Sequence, residues 1–271
     1  MTLLSWNTSA VCGRFADRDS KRASIRQHVL NYAIILLQET HGPLDEIQAY
    51  GQSFAETHHY FCSPGTTSAT GGLLTLVSKT CLAKSLIPAV VVPGRVALVT
   101  ISSTTHSLVV VNVHNERLGS DFEIVKSTLA PLIARAVADP TRFSLLLCGD
   151  VNIPKQSVDH IVQSHNSHEL RSGGEEWLRL LSPLLEIHQD EPTRVSLTSS
   201  SCIDRLWVSI PSWCLPHTRI ISATLWSPLS RLGLSDHAPL SSCFHNGPLR
   251  SSGTLPMPKW IAHFGHLSVE S

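Results

Sequence analysis

The sequence has no net charge. Lys plus Arg and Asp plus Glu each number 21 in a chain of 271 residues, and charged residues make up only 15% of it. That balance excludes global attraction to a polyanion, so any nucleic-acid binding needs a local basic patch. No apolar run approaches the roughly 18 residues of a membrane span, and residues 1–15 lack the basic opening and long apolar run of a signal peptide. These absences predict a soluble, intracellular protein with no membrane partner. No C-x-x-C pair occurs among the seven cysteines at 12, 62, 81, 148, 202, 214 and 243. An odd count without paired spacing favours reduced, mostly buried thiols over a zinc or disulfide framework. No internal repeat is found. At 42% hydrophobic residues the chain is too apolar for disorder, and long enough for one large domain or two small ones. Fifteen histidines make its charge sensitive to mildly acid pH.

Short apolar runs dominate the chain: residues 2–6, 33–37, 72–77, 90–92, 96–101, 107–113, 144–148, 203–208, 220–225 and 240–244. Most are β-branched or Leu-rich and bounded by Gly, Pro, Ser or Asp, which is strand punctuation. Helical patterns cover 20–31, 121–138 and 174–181, and a short helix begins near Pro43. Many strands with a few helices between them predict a layered α/β or α+β fold. The polar stretch 158–174, with His160, His165 and His168, reads as a solvated loop, because no carboxylate or Cys joins them at ligand spacing. The Ser/Thr run 196–201 also reads as a loop. The expected organisation is one domain over 1–245 and a Gly/Pro/Ser-rich tail or linker over 246–271.

Polar residues gather where the apolar runs end. Asn7 closes the first run, Glu39 follows the second, and Asn112, His114 and Glu116 interrupt or follow another. Asp150 and Asn152 follow residues 144–148, Asp204 lies in 203–208, and Asp236-His237 precede the last run. Each has a plain alternative: Asn7 a loop start, Asp150-Val151-Asn152 an Asx-turn, Asp204-Arg205 a local ion pair, Ser235-Asp236 a turn before Pro239. Six strand ends delivering Asn, Asp, Glu or His are not explained by turn chemistry together. Sheet proteins place their sites at such ends.

The series Trp6-Asn7, Gln38-Glu39-Thr40, Gly71-Gly72, Asn112-Val113-His114, Gly149-Asp150-Val151-Asn152, Ile203-Asp204-Arg205 and Ser235-Asp236-His237-Ala238-Pro239-Leu240 resembles the endonuclease/exonuclease/phosphatase superfamily. That superfamily includes apurinic endonucleases, deoxyribonuclease I, sphingomyelinases and inositol polyphosphate phosphatases. The resemblance spans residues 3 to about 244. It implies two β-sheets packed face to face as a sandwich with helices outside, and phosphate ester hydrolysis with Mg²⁺ or Mn²⁺. Glu39, Asn7 and Asp236 would be the hard oxygen ligands. His237 would be the catalytic histidine and Asp204 its orienting carboxylate, while Asp150 would position or deprotonate the attacking water. Asn152 and Asn112 would hold phosphate oxygens.

His114 stands where the apurinic and retrotransposon nucleases resembled here carry Tyr. Deoxyribonuclease I and the phosphatases use His there, which suggests a pair of acids, His114 and His237, across the phosphate. Asn115 departs from the Pro or Leu of many relatives. Residues 38–41, 201–209, 225–230 and 256–261 look most like the endonuclease domain of non-LTR retrotransposons, whose chains continue toward a reverse transcriptase module. The expectation is a monomeric DNA endonuclease acting inside the cell, the nucleus included. Arg231 and Trp226 are expected to contact the DNA, and Arg14, Arg18, Lys21 and Arg22 to extend the basic rim. A small-molecule or lipid phosphatase is the alternative, favoured by His114 and the neutral charge. A non-catalytic binding module is a third reading, against which stands the presence of every expected ligand and of His237.

Overall fold

The computed structural model describes residues 1–13, 18–116, 119–153, 160–162, 174–187, 192–195, 199–209, 218–219 and 235–244. The elements run β1 (Thr2–Asn7), α1 (Arg18–Val29), β2 (Ile34–Gln38), α2 (Leu44–Gln52), β3 (His58–Ser63), β4 (Leu73–Ser78), β5 (Ser85–Val92), β6 (Val96–Ser102) and β7 (Ser107–His114). After a 3-10 turn they continue with α3 (Phe122–Ala138), β8 (Phe143–Asp150), β9 (His160–Val162), α4 (Gly174–Leu181), β10 (Leu185–Ile187), β11 (Arg194–Val195), β12 (Ser199–Ser201), β13 (Asp204–Val208), β14 (Thr218–Arg219) and β15 (Leu240–Phe244).

Two six-stranded sheets carry the fold, ordered β14-β15-β1-β2-β4-β3 and β10-β13-β8-β7-β6-β5, with a small β11-β12-β9 sheet beside them. Each large sheet is built around one parallel pair, β1 with β2 and β7 with β8. Parallel neighbours need a crossover connection, and α1 and α3 supply it. Antiparallel strands flank each pair, β15 and β4 in one sheet, β13 and β6 in the other. The centre of each sheet therefore repeats one topology although the sequence has no repeat.

Alternation along the strands sorts their side chains into layers. Leu4, Trp6, Ile35, Leu37, Leu74 and Leu76 turn outward onto α1 and α2, with Ile25, Val29, Ile47 and Tyr50 facing them. Val109, Val111, Leu145 and Leu147 turn outward onto α3 and α4, against Val125, Leu129, Ile133 and Trp177. Leu3, Ile34, Leu36, Leu108, Val110, Leu146, Leu206 and Leu240 fill the layer between the sheets. The predicted sandwich with external helices is this one. No described helix is long and apolar enough to cross a membrane.

The inner layer changes character along its length. Following the inward positions, β1 runs Leu3, Ser5, Asn7; β2 runs Ile34, Leu36, Gln38; β7 runs Leu108, Val110, Asn112, His114; β8 runs Leu146, Cys148, Asp150. Antiparallel β13 matches them in reverse, from Val208 through Leu206 to Asp204. All are buried, so one end of the intersheet layer is hydrocarbon and the other is polar. Because β1, β2, β7 and β8 are the parallel strands, their carboxyl ends meet at the polar end, where sheet proteins place ligands.

Gly149 shows how closely the strands approach there. Its φ is +147°, and a Cβ would lie 2.0 Å from the carbonyl oxygen of Val113 on β7. Gly149→Ala should destabilise the fold by on the order of 3 kcal/mol, since backbone cannot yield as a side-chain tip can. Urea unfolding measures this; an unchanged midpoint would mean that β7 and β8 can part to admit a methyl group.

Candidate active site

Loop backbone re-aims the side chains at the polar end. The five non-glycine residues with positive φ among the described residues are Ser9 (45°), Ala10 (70°), Glu39 (49°), His41 (52°) and Asn152 (52°), all just beyond β1, β2 or β8. Each costs on the order of 1–3 kcal/mol and persists only where the surroundings over-determine it. Here they do: Thr8, Ala10 and Cys12 N–H donate to the carbonyls of Gln38, Glu39 and Thr40 (2.9, 2.7 and 2.7 Å). Thr40 and His41 N–H donate in turn to Gly72 (3.1 Å) and Gly71 (2.9 Å), whose φ values of +94° and +69° account for the paired glycines. Gln38 faces inward, so strict alternation would turn Glu39 outward. The left-handed conformation breaks the alternation, and Glu39 Oε1 comes within 3.0 Å of His114 Nε2 on the other sheet.

Hydrogen bonds across the two sheets hold the floor of the site. Asn7 Nδ2 donates to Asp150 Oδ2 at 2.9 Å, and the Asn152 N–H donates to Asp150 Oδ1 at 3.0 Å, so both carboxylate oxygens are oriented. Asn7 Oδ1 accepts the Ser9 N–H at 3.1 Å. His237 Nδ1 lies 2.8 Å from Asp204 Oδ2, and its Nε2 lies 3.8 Å from Asp150 Oδ2. The segment bearing His237 is anchored by Trp6 Nε1 donating to its carbonyl (2.9 Å) and by Ser235 Oγ donating to the Asn7 carbonyl (2.7 Å). Thr193 joins the same web: its hydroxyl accepts from Asp204 N–H at 3.1 Å, and its carbonyl accepts from Ala238 N–H at 2.6 Å.

The electrostatics separate the carboxyls. Burial alone would raise Glu39, but the adjoining imidazoles of His114, then His41 and His237, outweigh it and hold Glu39 at about 2. Burial and the neighbouring Asp204 push Asp150 the other way, up to about 6. Burial opposes the charge on His237, yet Asp204, then Asp150 and Asp236, raise it to about 9. The arrangement thus holds an ionised carboxylate at its mouth, a more basic carboxyl inside, and an imidazolium braced by Asp204.

The expected residues fall into three groups. Glu39 and His114 meet, and with Glu116 they form one cluster able to hold a metal; Asp150, Asp204 and His237 form a second. Asp236 stands apart, its Oδ1 accepting from Ser9 Oγ at 3.1 Å and its Oδ2 from Arg194 Nε at 3.0 Å. Asn112 lies beneath the site as a fully buried strut: Oδ1 accepts from Gln38 Nε2 (2.8 Å), and Nδ2 donates to Thr75 Oγ1 (3.2 Å). In that geometry it has no group left for a phosphate oxygen. Lys21 and Arg22 turn inward instead of extending the basic rim, donating to the carbonyls of Ser9 (2.6 Å) and Val11 (3.0 Å), with Lys21 only 7% exposed. Arg18 pairs with Glu46 at 3.4 Å. Arg14, Trp226, Arg231 and residues 246–271 lie outside the described residues. Thr193, Arg194, Ser9 and Arg95 were not singled out by the sequence, since none sits in a motif and each acts across a gap of tens of residues or on the loop backbone.

Several solved structures share this architecture. The AP endonuclease LMAP from Leishmania major superposes with a TM-score of 0.65 at 15% identity, covering 89% of this chain and 86% of that one. The Xenopus laevis APE2 catalytic domain gives 0.58 at 17% identity, covering 90% and 91%. D. rerio TDP2, complexed with single strand DNA product, gives 0.58 at 14% identity, covering 89% and 97%. At these identities the likeness is one of fold. No curated protein sequence matches significantly. The model of the endonuclease/exonuclease/phosphatase family, however, matches residues 4–237, a span holding every clustered polar residue described above. By that match the chain belongs to the endonuclease/exonuclease/phosphatase family.

Proposed function

We propose that this chain is a divalent-metal-dependent phosphodiesterase acting on DNA, an endonuclease of the retrotransposon type. One observation carries the chemistry: two sheets deliver an ionised Glu39, a hydrogen-bonded Asp150 and the Asp204–His237 pair to a single polar mouth. The neighbour named an AP endonuclease, and the one complexed with single strand DNA product, support DNA as the substrate.

Glu39 fits a hard cation. Its side chain is 25% exposed, it is held ionised, and the imidazoles of His114 and His41 lie 3.0 and 3.9 Å from its carboxylate oxygens. Mg²⁺ takes one or two carboxylates and keeps its waters, and Glu39 would be the principal ligand. Asn7 and Asp236 would join only after exchanging their present partners. Bound there, Mg²⁺ or Mn²⁺ would neutralise phosphate charge and stabilise the leaving oxygen. His237, cationic against Asp204, donates from Nε2 to a non-bridging phosphate oxygen. Asp150, its two oxygens fixed by Asn7 and Asn152, orients the attacking water and accepts its proton.

The substrate class is tested by offering supercoiled plasmid, an abasic oligonucleotide and an inositol polyphosphate in parallel. Cleavage of either DNA with the inositol phosphate untouched is the expected outcome. Release of inorganic phosphate from the inositol polyphosphate, with both DNAs intact, would replace the nuclease by a phosphatase.

A further inference from the structure

The two histidines of the site are wired in opposite senses. His237 Nδ1 faces a carboxylate, Asp204 Oδ2 at 2.8 Å, and must carry a proton there. His114 Nδ1 faces a guanidinium, Arg95 Nη1 at 2.9 Å. Arginine has only donors, so this contact is a hydrogen bond only if Nδ1 accepts through its lone pair. The ring proton then sits on Nε2. Arg95 is held in place to enforce this: it lies opposite His114 just beyond the β6–β7 ladder, its carbonyl accepting the His114 N–H at 2.7 Å, and Glu116 Oε2 binds the same Nη1 at 2.9 Å. The ring itself is 1% exposed and cannot exchange partners with solvent.

We infer that Arg95 is a positioning residue that locks His114 in the Nε2–H tautomer, making it a fixed hydrogen-bond donor at the mouth of the site. The His114 Nε2–H faces Glu39 Oε1 at 3.0 Å but is off the line of a hydrogen bond to any described residue. A small turn of the Glu39 side chain would bring its carboxylate onto that N–H, so the fixed tautomer orients Glu39 at the mouth of the site. This inference deepens the proposed site and rests on that reading for its catalytic consequence only.

The tautomer is read directly by two-bond ¹H–¹⁵N correlation on ¹⁵N-histidine-labelled protein, with His114 assigned from the signals missing in His114→Gln. The expected wild-type spectrum at neutral pH has a protonated Nε2 and a lone-pair Nδ1. Arg95→Met, which removes the donor, should mix the tautomers and lower kcat on a small phosphodiester on the order of 10- to 100-fold, the usual cost of losing an outer partner. Arg95→Lys, which keeps a donor, should restore the spectrum and most of kcat. A protonated Nδ1 in the wild type, or an Arg95→Met spectrum and kcat equal to wild type, overturns the inference. Since the spectrum needs no substrate, a locked tautomer in a protein that cleaves no phosphodiester would refute the proposed function while leaving the Arg95–His114 assignment standing.

Discussion

Glu39→Gln should lower phosphodiester hydrolysis by on the order of 10³-fold or more and leave the fold intact. The substitution keeps the shape of the side chain and removes its charge. A cation held at this mouth would supply several kcal/mol of transition-state stabilisation, and each 1.36 kcal/mol is a factor of ten in rate. The fold survives because Glu39 lies on a loop, a quarter exposed, and the β2–β4 ladder below it is untouched. The measurement is an initial rate on plasmid in Mg²⁺ or Mn²⁺, with Mn²⁺ affinity by calorimetry alongside. The rate and the affinity should fall together. A Glu39→Gln protein that retains most of its rate in Mg²⁺ would remove Glu39 from the metal assignment.

His237→Ala should cost on the order of 10²–10⁴ in rate, the range for a positioned acid or base. Truncation also leaves the buried Asp204 carboxylate without its imidazole, so a melting curve must accompany the kinetics; His237→Gln keeps a donor and isolates the chemical loss. Asp204→Asn should act in the same direction, because the His237 Nδ1–H then loses its anionic acceptor. An undiminished rate in Asp204→Asn would reduce Asp204 to a structural residue. The wild-type rate should hold between two limbs. It falls as pH drops through about 6, where Asp150 takes up a proton, and again as pH rises through about 9, where His237 loses one. Stability follows His237 with the same sign. Its folded pKa is raised, so its contribution is complete below the unfolded value near 6.5 and disappears as pH rises through about 9.

The parts of this account visible in the sequence share a physical cause. Strands buried on both faces, such as β1, β2, β7 and β8, read as apolar runs, and their polar last residues stand out because nothing else interrupts them. The helix expected over 174–181 is α4, and the strand expected over 240–244 is β15. Edge strands carry a weaker signal. β5 extends over Ser85–Val92 where only 90–92 was apparent, since it is largely exposed and holds Pro88. β3, with its sequence HHYFCS, shows no alternation of hydrophobic residues, and Ser199–Ser201 forms β12 inside a run that reads as a loop. Geometry that depends on backbone twist or on distant partners was invisible. No pattern announces that Glu39 adopts a φ of 49°, that Arg95 meets His114 across a ladder, or that Lys21 and Arg22 pin a loop instead of facing solvent. The setting of Asn112 has a related cause: the inward phase of β7 puts it two residues below His114, against the other sheet's backbone.

The most direct test of metal-dependent hydrolysis at this site is nicking of supercoiled plasmid by the wild-type protein after exhaustive chelation, with Mg²⁺ or Mn²⁺ then restored, and with Glu39→Gln run in parallel. The account predicts no nicking in chelator, recovery when either ion is added back, and no recovery in Glu39→Gln. Nicking that persists in chelator, or that returns in Glu39→Gln as it does in the wild type, would contradict it.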